Sequence, residues 1–262
     1  MPAPDPLVEA VAAAASEAGA LARKSWRGDF ARWEKSPGNP VCDIDLSVNA
    51  LLKARLQAID PEAGFLSEEE LDSEERLTRP RVWIIDPIDG TRDYIRGRPG
   101  WAVSVALVEQ GRPIIGVLDA PARDEHWCAH AGHGAWRNGE AIRVSGREEF
   151  AGSRVPADTL PNADRDLVAV VKPNSIALRI AMVAGGEADL LATLRWGHEW
   201  DVAAAVAIAL EAGATVSDAL GGELAFNQPN PEAFGVVVAT PALHAAAVER
   251  LRERARAGVG KR

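Results

Sequence analysis

Cysteine is scarce in this sequence. Cys42 and Cys128 are the only two in 262 residues, and no CxxC spacing occurs. A disulfide framework and a structural zinc site are therefore not expected, and both thiols read as small packed residues in a reducing compartment. Aromatic residues make up only 5%, although eight of them are Trp. Positive charge is in deficit, with 29 Lys and Arg against 38 Asp and Glu, a net charge of -9. A chain so short of basic surface is a poor binder of nucleic acid polymers and of anionic membranes. No apolar run reaches the length of a membrane span. The alanine-rich N-terminus lacks the early positive charge of a signal peptide, and Glu9 and Glu17 interrupt its apolar run. A cytoplasmic protein is expected. An acidic protein that takes an anionic substrate needs a local cation to reverse the field, and a metal ion is the plainest means.

What the sequence does have is a large apolar fraction, 47%, dominated by alanine and valine. That supports a sizeable core in one large domain or two small ones. Leu7, Val11, Ala14, Ala18 and Leu21 form one stripe of a helix between Pro4 and Trp26. A second helix is expected from Asp43, with Val48, Leu52, Leu56 and Ile59 on its apolar face, stopping before Pro61. Residues 66–81 are charged and read as a loop. Strand character follows at 82–85, 102–108, 113–118, 125–129 and 134–137, with turns at Gln110-Gly111 and Asn138-Gly139. Residues 146–166 are polar, contain Pro156 and Pro161, and read as a linker. Beyond them helices are expected at 175–184, 201–212 (ended by Gly213) and 241–257, with strands at 188–193 and 236–239. Strands and helices mixed in this way predict an α+β layered fold in two parts, 1–146 and 147–262, forming one compact unit.

The segment Trp83-Ile84-Ile85-Asp86-Pro87-Ile88-Asp89-Gly90-Thr91-Arg92-Asp93-Tyr94 carries the strongest chemical signal. A strand delivers Asp86 to its end, Pro87 blocks further ladder pairing, and a helix begins near Thr91. Two carboxylates three residues apart at such a corner can share one space, and hard divalent cations such as Mg²⁺ prefer carboxylate and carbonyl oxygen. Taken alone, such a pair is more often an Asx turn with a helix cap. Glu68 to Glu70, Asp43 and Asp45, and Asp201 have similarly plain accounts as surface charge or caps.

Their joint pattern is specific. Residues 83–96 resemble the first signature of the inositol monophosphatase family, W-x-x-D-P-[IL]-D-G-T-x-x-[FY], and residues 200–214 resemble its second. Leu66-Ser67-Glu68-Glu69 resembles the family's G-E-E element, with Ser67 in the glycine place. Val41 to Asp45 resembles its V-T-x-x-D element, with Cys42 in the threonine place. Weaker similarity covers nearly the whole chain. The resemblance implies a layered α-β-α-β-α sandwich, a homodimer, and Li⁺-sensitive, Mg²⁺-dependent hydrolysis of a small phosphorylated metabolite. It implies that Glu68, Asp86 and the Ile88 carbonyl hold one Mg²⁺, that Asp86, Asp89 and Asp201 hold a second, and that a third, weaker ion uses Glu68 and water. Asp45 and Thr91 would orient and deprotonate the attacking water, assisted by Glu68 as a catalytic group. Amides near Gly90 and Thr91 would hold the phosphate. Crowded carboxylates repel unless cations neutralise them, so the implied chemistry agrees with the residue types.

Substrate choice is less sharply written. In inositol-specific members a glutamate seven residues before the second-signature aspartate contacts the sugar hydroxyls, and Leu194 stands at that position here. The small Gly-x-Ala element near the substrate corresponds to Asn174-Ser175-Ile176. The run Asp89-Gly90-Thr91-Arg92-Asp93-Tyr94-Ile95 instead resembles the form common in 3′(2′),5′-bisphosphate nucleotidases. Arg92, Arg96, Arg98, Lys172 and Arg195 are candidates for meeting a second phosphate. Asp89, Gly90, Thr91, Arg92, Ser175, His198 and Asp201 are the expected substrate-facing residues. A bisphosphate nucleotidase is the leading reading, ahead of an inositol-1-phosphate or histidinol-phosphate phosphatase. A non-catalytic regulatory protein on the same fold is disfavoured because Glu68, Asp86, Asp89, Asp201, Asp45 and Thr91 are all present.

Overall fold

The computed structural model describes residues 5–260. In chain order the first half contains α1 (Pro6–Ser25), β1 (Arg32–Ser36), β2 (Asn39–Cys42), α2 (Asp43–Ile59), β3 (Gly64–Ser67), β4 (Arg81–Asp89), α3 (Thr91–Ile95), β5 (Ala102–Glu109), β6 (Arg112–Ala120), β7 (Glu125–His130), β8 (Gly134–Arg137) and β9 (Glu140–Ala141). The second contains β10 (Arg154–Pro156), β11 (Val168–Val170), α4 (Ile176–Ala184), β12 (Leu190–Ala192), β13 (Trp196–His198), α5 (Glu199–Glu211), β14 (Thr215–Ser217), β15 (Glu232–Phe234), β16 (Val237–Ala239) and α6 (Pro241–Val259). The helix expected from Pro4 thus begins at Pro6, capped by the Asp5 carboxylate; Pro4 lies outside the described residues.

Strands β3 to β9 form one seven-stranded sheet in sequence order, antiparallel except for the β3–β4 pair. Its side chains alternate between two cores, as the pleat requires. Trp83, Ile85, Val103, Val105, Leu107, Ile115 and Val117 face α1 and α2, while Val82, Ile84, Ala106, Val108 and Leu118 face α4 and α5. On the far side of α4 and α5 lies a three-stranded sheet, β12-β16-β14. Val236 and Val238 point back to those helices, and Val237 and Ala239 point on to α6. Helices, sheet, helices, sheet and helix stack into five layers. The α+β layered sandwich expected from the sequence is the observed fold.

Alanine is what lets the central layers approach. Helix α5 is buried on nearly all sides and presents Ala203, Ala204, Ala205, Ala207 and Ala209 to its neighbours. Opposite it, Gly116 on β6 has no room for a side chain: a Cβ there would lie 2.2 Å from the Ala204 carbonyl oxygen and 2.8 Å from Ala207 Cβ.

Two expectations need correction. Residues 66–81 are not merely a charged loop, because β3 pairs in parallel with β4 and a 3₁₀ turn spans Glu74–Thr78. Buried Arg76 ties that turn to Asp72, at 2.7 Å for each of two bonds, and to Asn227 and Gln228 across the chain. Residues 146–166 are not a free linker. They contain β10, paired in parallel with β11, and Arg154 and Ser145 converge on the fully buried Asp189 carboxylate. Arg154, one of the polar residues that resembled a linker, is the partner of a buried charge. The β1–β2 hairpin, exposed along β1, and the β13–β15 pair had no expected counterpart.

Replacing Gly116 with Ala should force α5 off the sheet, since backbone rather than a flexible side chain blocks the new methyl. Overpacking of this kind costs about 1–3 kcal/mol. Gly116→Ala should therefore lower the melting temperature and, because α5 carries Asp201, reduce activity as well. Unchanged melting would show that the layers have slack.

Candidate active site

The site lies where β4 leaves the sheet. Pro87 does not end the ladder as expected: pairing runs Asp86↔Ser104 and resumes at Asp89↔Ala102, so β4 carries one extra residue between Asp86 and Asp89 and bulges. The bulge brings Asp89 to the same face as Asp86, which strict alternation over three residues would not. Gly90 follows at φ 95° as the N-cap of α3. A Cβ there would meet the Gly100 carbonyl oxygen at 2.6 Å and the Ser175 nitrogen at 2.9 Å, so only glycine fits.

Helix N-termini set the other carboxylates. Asp45 is the third residue of α2 and accepts the Cys42 amide at 2.9 Å; Asp201 is the third residue of α5 and accepts the His198 amide at 3.0 Å. Both are capping-box contacts. Asp89 accepts the Ala177 amide at 2.7 Å and the Ser175 hydroxyl at the start of α4. The positive ends of three helices thereby meet negative side chains.

Glu68, Asp86 and Asp201 each offer an oxygen within 4.8 Å of the others. Asp86 is buried and accepts the Ile88 amide at 3.0 Å. Burial, with Glu68, Asp89, Asp201 and Asp45 nearby, holds its carboxyl well above the usual range. Burial and Asp201 push Asp89 up to about 7 against the opposing bonds from Ser175 and Ala177. Burial raises Asp201 as well. Such a cluster of hard oxygen donors, with the Ile88 carbonyl beside it on the wall, fits a divalent cation.

Thr91 stands next to the cluster. Its single hydroxyl proton lies between the Ile88 carbonyl, at 3.0 Å, and Asp45 Oδ1, at 3.4 Å. Asp45 is almost fully buried, and burial raises its carboxyl to about 6 despite donors from the Cys42 thiol and amide.

These groups line a cavity of about 300 Å³ containing Glu68, Asp86, Ile88, Asp89, Gly90, Thr91, Arg92 and Asp201. It shares Glu68, Arg92, Arg195 and Asp201 with a wider cavity of about 450 Å³, walled by Trp196, His198 and Trp200. His198 stacks flat on Trp200, with ring centroids 4.4 Å apart.

Ser175 is fully buried and holds Asp89 from behind instead of facing the cavity, because its hydroxyl caps α4. Leu194 also turns away, into the apolar cluster beneath α6, while its neighbours Thr193 and Arg195 line the wide cavity. Arg96 and Arg98 open onto other surface hollows. Lys172 and Arg195 do reach the site. Sequence reasoning missed two cations. Lys35, on the exposed β1 strand, pairs with Glu68 at 2.9 Å and Glu69 at 2.7 Å. Arg179, on the apolar α4, reaches the cavity wall. Neither position carries a pattern that separates it from a surface or core residue.

The family model described as inositol monophosphatase family matches residues 3–256. The chain belongs to the inositol monophosphatase family. Members of this family are phosphatases, and the chain is accordingly a phosphomonoester hydrolase of a family that uses divalent metal ions. It is 34% identical over 206 residues to an inositol-1-monophosphatase of Mesorhizobium japonicum, covering 72% of this chain and 76% of that protein. It is 29% identical over 210 residues to the 3′(2′),5′-bisphosphate nucleotidase CysQ of Buchnera aphidicola, covering 76% and 79%. Among solved structures, an IMPase of Thermotoga maritima superposes with a TM-score of 0.81 at 28% identity, covering 94% of this chain and 96% of that one.

The raised carboxyls fix a pH dependence. Each binds its proton more tightly folded than unfolded, so it stabilises the fold fully below the unfolded value of 3.8 and loses that contribution as pH rises through the folded value, about 7 for Asp89. Metal-free protein should therefore lose melting temperature on their account between about pH 4 and about pH 7. Asp86→Asn should raise the metal-free melting temperature at about pH 8, where a charge is removed, and not at about pH 4. Melts in chelator decide it, and a lower melting temperature for the variant at the higher pH contradicts the electrostatic account.

Proposed function

We propose that this phosphatase hydrolyses a small phosphomonoester with two to three Mg²⁺ ions held by Glu68, Asp86, the Ile88 carbonyl, Asp89 and Asp201. The observation that carries the reading is an acidic trio, Glu68, Asp86 and Asp201, on one cavity wall with Thr91, itself backed by buried Asp45. When bound, such cations offset the charge of the phosphate, acidify a bound water and stabilise the departing oxygen. Asp45, ionised above about pH 6, draws the Thr91 proton, and the Thr91 oxygen is left to accept a proton from the attacking water. Displacement is in line and passes through no covalent phosphoenzyme. Family membership further leads us to propose inhibition by Li⁺ at a magnesium position and a homodimeric state.

For the substrate, adenosine 3′,5′-bisphosphate is placed ahead of inositol-1-phosphate. Lys35, Arg92, Lys172, Arg179 and Arg195 line the joined cavities, an array suited to more than one phosphate, and Trp196 and Trp200 offer flat walls for a base. Inositol-1-phosphate is the second reading, favoured by the name of the 34% identical Mesorhizobium relative.

Phosphate release should vanish in chelator and return with Mg²⁺; full turnover in chelator would sink the mechanism. A panel of adenosine 3′,5′-bisphosphate, inositol-1-phosphate, histidinol phosphate and fructose-1,6-bisphosphate ranks the substrates by kcat/KM. Thr91→Ala and Asp45→Asn should each lower kcat on the order of a hundredfold or more while changing KM little. Either variant with wild-type kcat removes that residue from the mechanism.

A further inference from the structure

Among the described residues, five basic side chains line the joined cavities, and four of them already have partners. Lys35 bridges Glu68 and Glu69. Arg92 donates to the Gly38 carbonyl, at the tip of the β1–β2 hairpin. Lys172 is paired with Asp158. Buried Arg179 donates to the Pro173 carbonyl at 2.8 Å and to the Asn174 carbonyl at 2.5 Å. Arg195 differs: among the described residues its guanidinium makes no hydrogen bond and no ion pair, although it lies in the field of Asp201 and of Arg179.

The side chain is exposed, but its backbone is held in place. The Arg195 carbonyl accepts the Gly235 amide at 2.8 Å, and the next three residues pair with β15. Arg195 lies on both cavities, between the carboxylate trio at one end and Trp196, His198 and Trp200 at the other. A group whose transferred phosphate sits at the trio would place its alcohol portion past Arg195. Two guanidiniums, Arg179 and Arg195, also share the smaller cavity, and like charges brought together favour an anion between or beside them.

We propose that Arg195 reads a second anionic group, a phosphate or its equivalent, on the alcohol portion of the substrate. This rests on the phosphatase reading above and adds the residue that selects for doubly charged esters. Arg92, named in the sequence analysis together with Arg96, Arg98, Lys172 and Arg195 for that part, is held by the Gly38 carbonyl.

The test compares matched esters with and without the second phosphate: adenosine 3′,5′-bisphosphate with adenosine 3′-monophosphate, and inositol 1,4-bisphosphate with inositol-1-phosphate. Phosphate release is followed with saturating Mg²⁺. In whichever pair is hydrolysed, the wild-type protein should favour the bisphosphate in kcat/KM. Arg195→Gln should shrink that ratio by on the order of tenfold or more, chiefly through KM, as loss of one charge-assisted hydrogen bond implies. Arg195→Lys should restore part of it. A ratio unchanged by Arg195→Gln overturns the inference, as does an equal loss on both members of a pair. So does a wild-type protein that treats the two alike. In each of those cases release from the monophosphate shows that the phosphatase reading still stands, whereas release from none of the four overturns both.

Discussion

Like-charged carboxylates crowded into a buried corner are the constraint around which this structure is arranged. Asp45, Asp86 and Asp89 are buried, and Glu68 and Asp201 stand against them. Without compensation such groups would take up protons or push apart. The fold answers with backbone: α2, α4 and α5 all begin here, each directing free amides at one carboxylate. Those bonds orient the acids, yet they do not neutralise them, since Asp45, Asp86, Asp89 and Asp201 all stay raised. The residual charge is what gives a divalent cation a reason to bind.

The five layers serve that corner. Asp86 and Asp89 come from the large sheet, Asp45 from the helices on one of its faces, and Asp201 from the helices on the other. No single element holds all of the site, so its geometry depends on the whole stack keeping its register. The alanine-rich composition, which at first reads as a plain core, is what brings α5 within backbone contact of β6.

Much of the site was legible because its residues are embedded in long local patterns. Asp86, Asp89, Gly90 and Thr91 are contiguous, and Asp201 opens an alanine-rich helical run. The fold class followed from alternating strands and amphipathic helices. What escaped reading had competing local explanations. Lys35 lies in a strand exposed along all five residues, where no alternation marks a buried face. Arg179 sits inside an apolar helix. Leu194 was expected at the substrate by position, but alternation along the chain sends Thr193 and Arg195 to the cavity instead. Ser175 was placed near the substrate, and its hydroxyl turned out to be a helix cap. The polar stretch before β11 looked like a linker because nothing in one dimension shows that Asp189 is waiting for it.

The glycine at position 116 bears on the spacing of the acidic site. Asp86 belongs to the sheet and Asp201 to the helix laid on it, so the gap between their carboxylates is set by the thickness of one sheet–helix layer. That thickness is fixed by contact between a glycine and the turn of α5 holding Ala204. Small, rigidly octahedral ions and larger, more forgiving ones differ in metal–oxygen distance by only a few tenths of an ångström, roughly 2.0–2.1 against 2.3–2.6 Å. The spacing that a cation between these carboxylates would meet is thus set by backbone packing of β6 against α5 in the protein's interior.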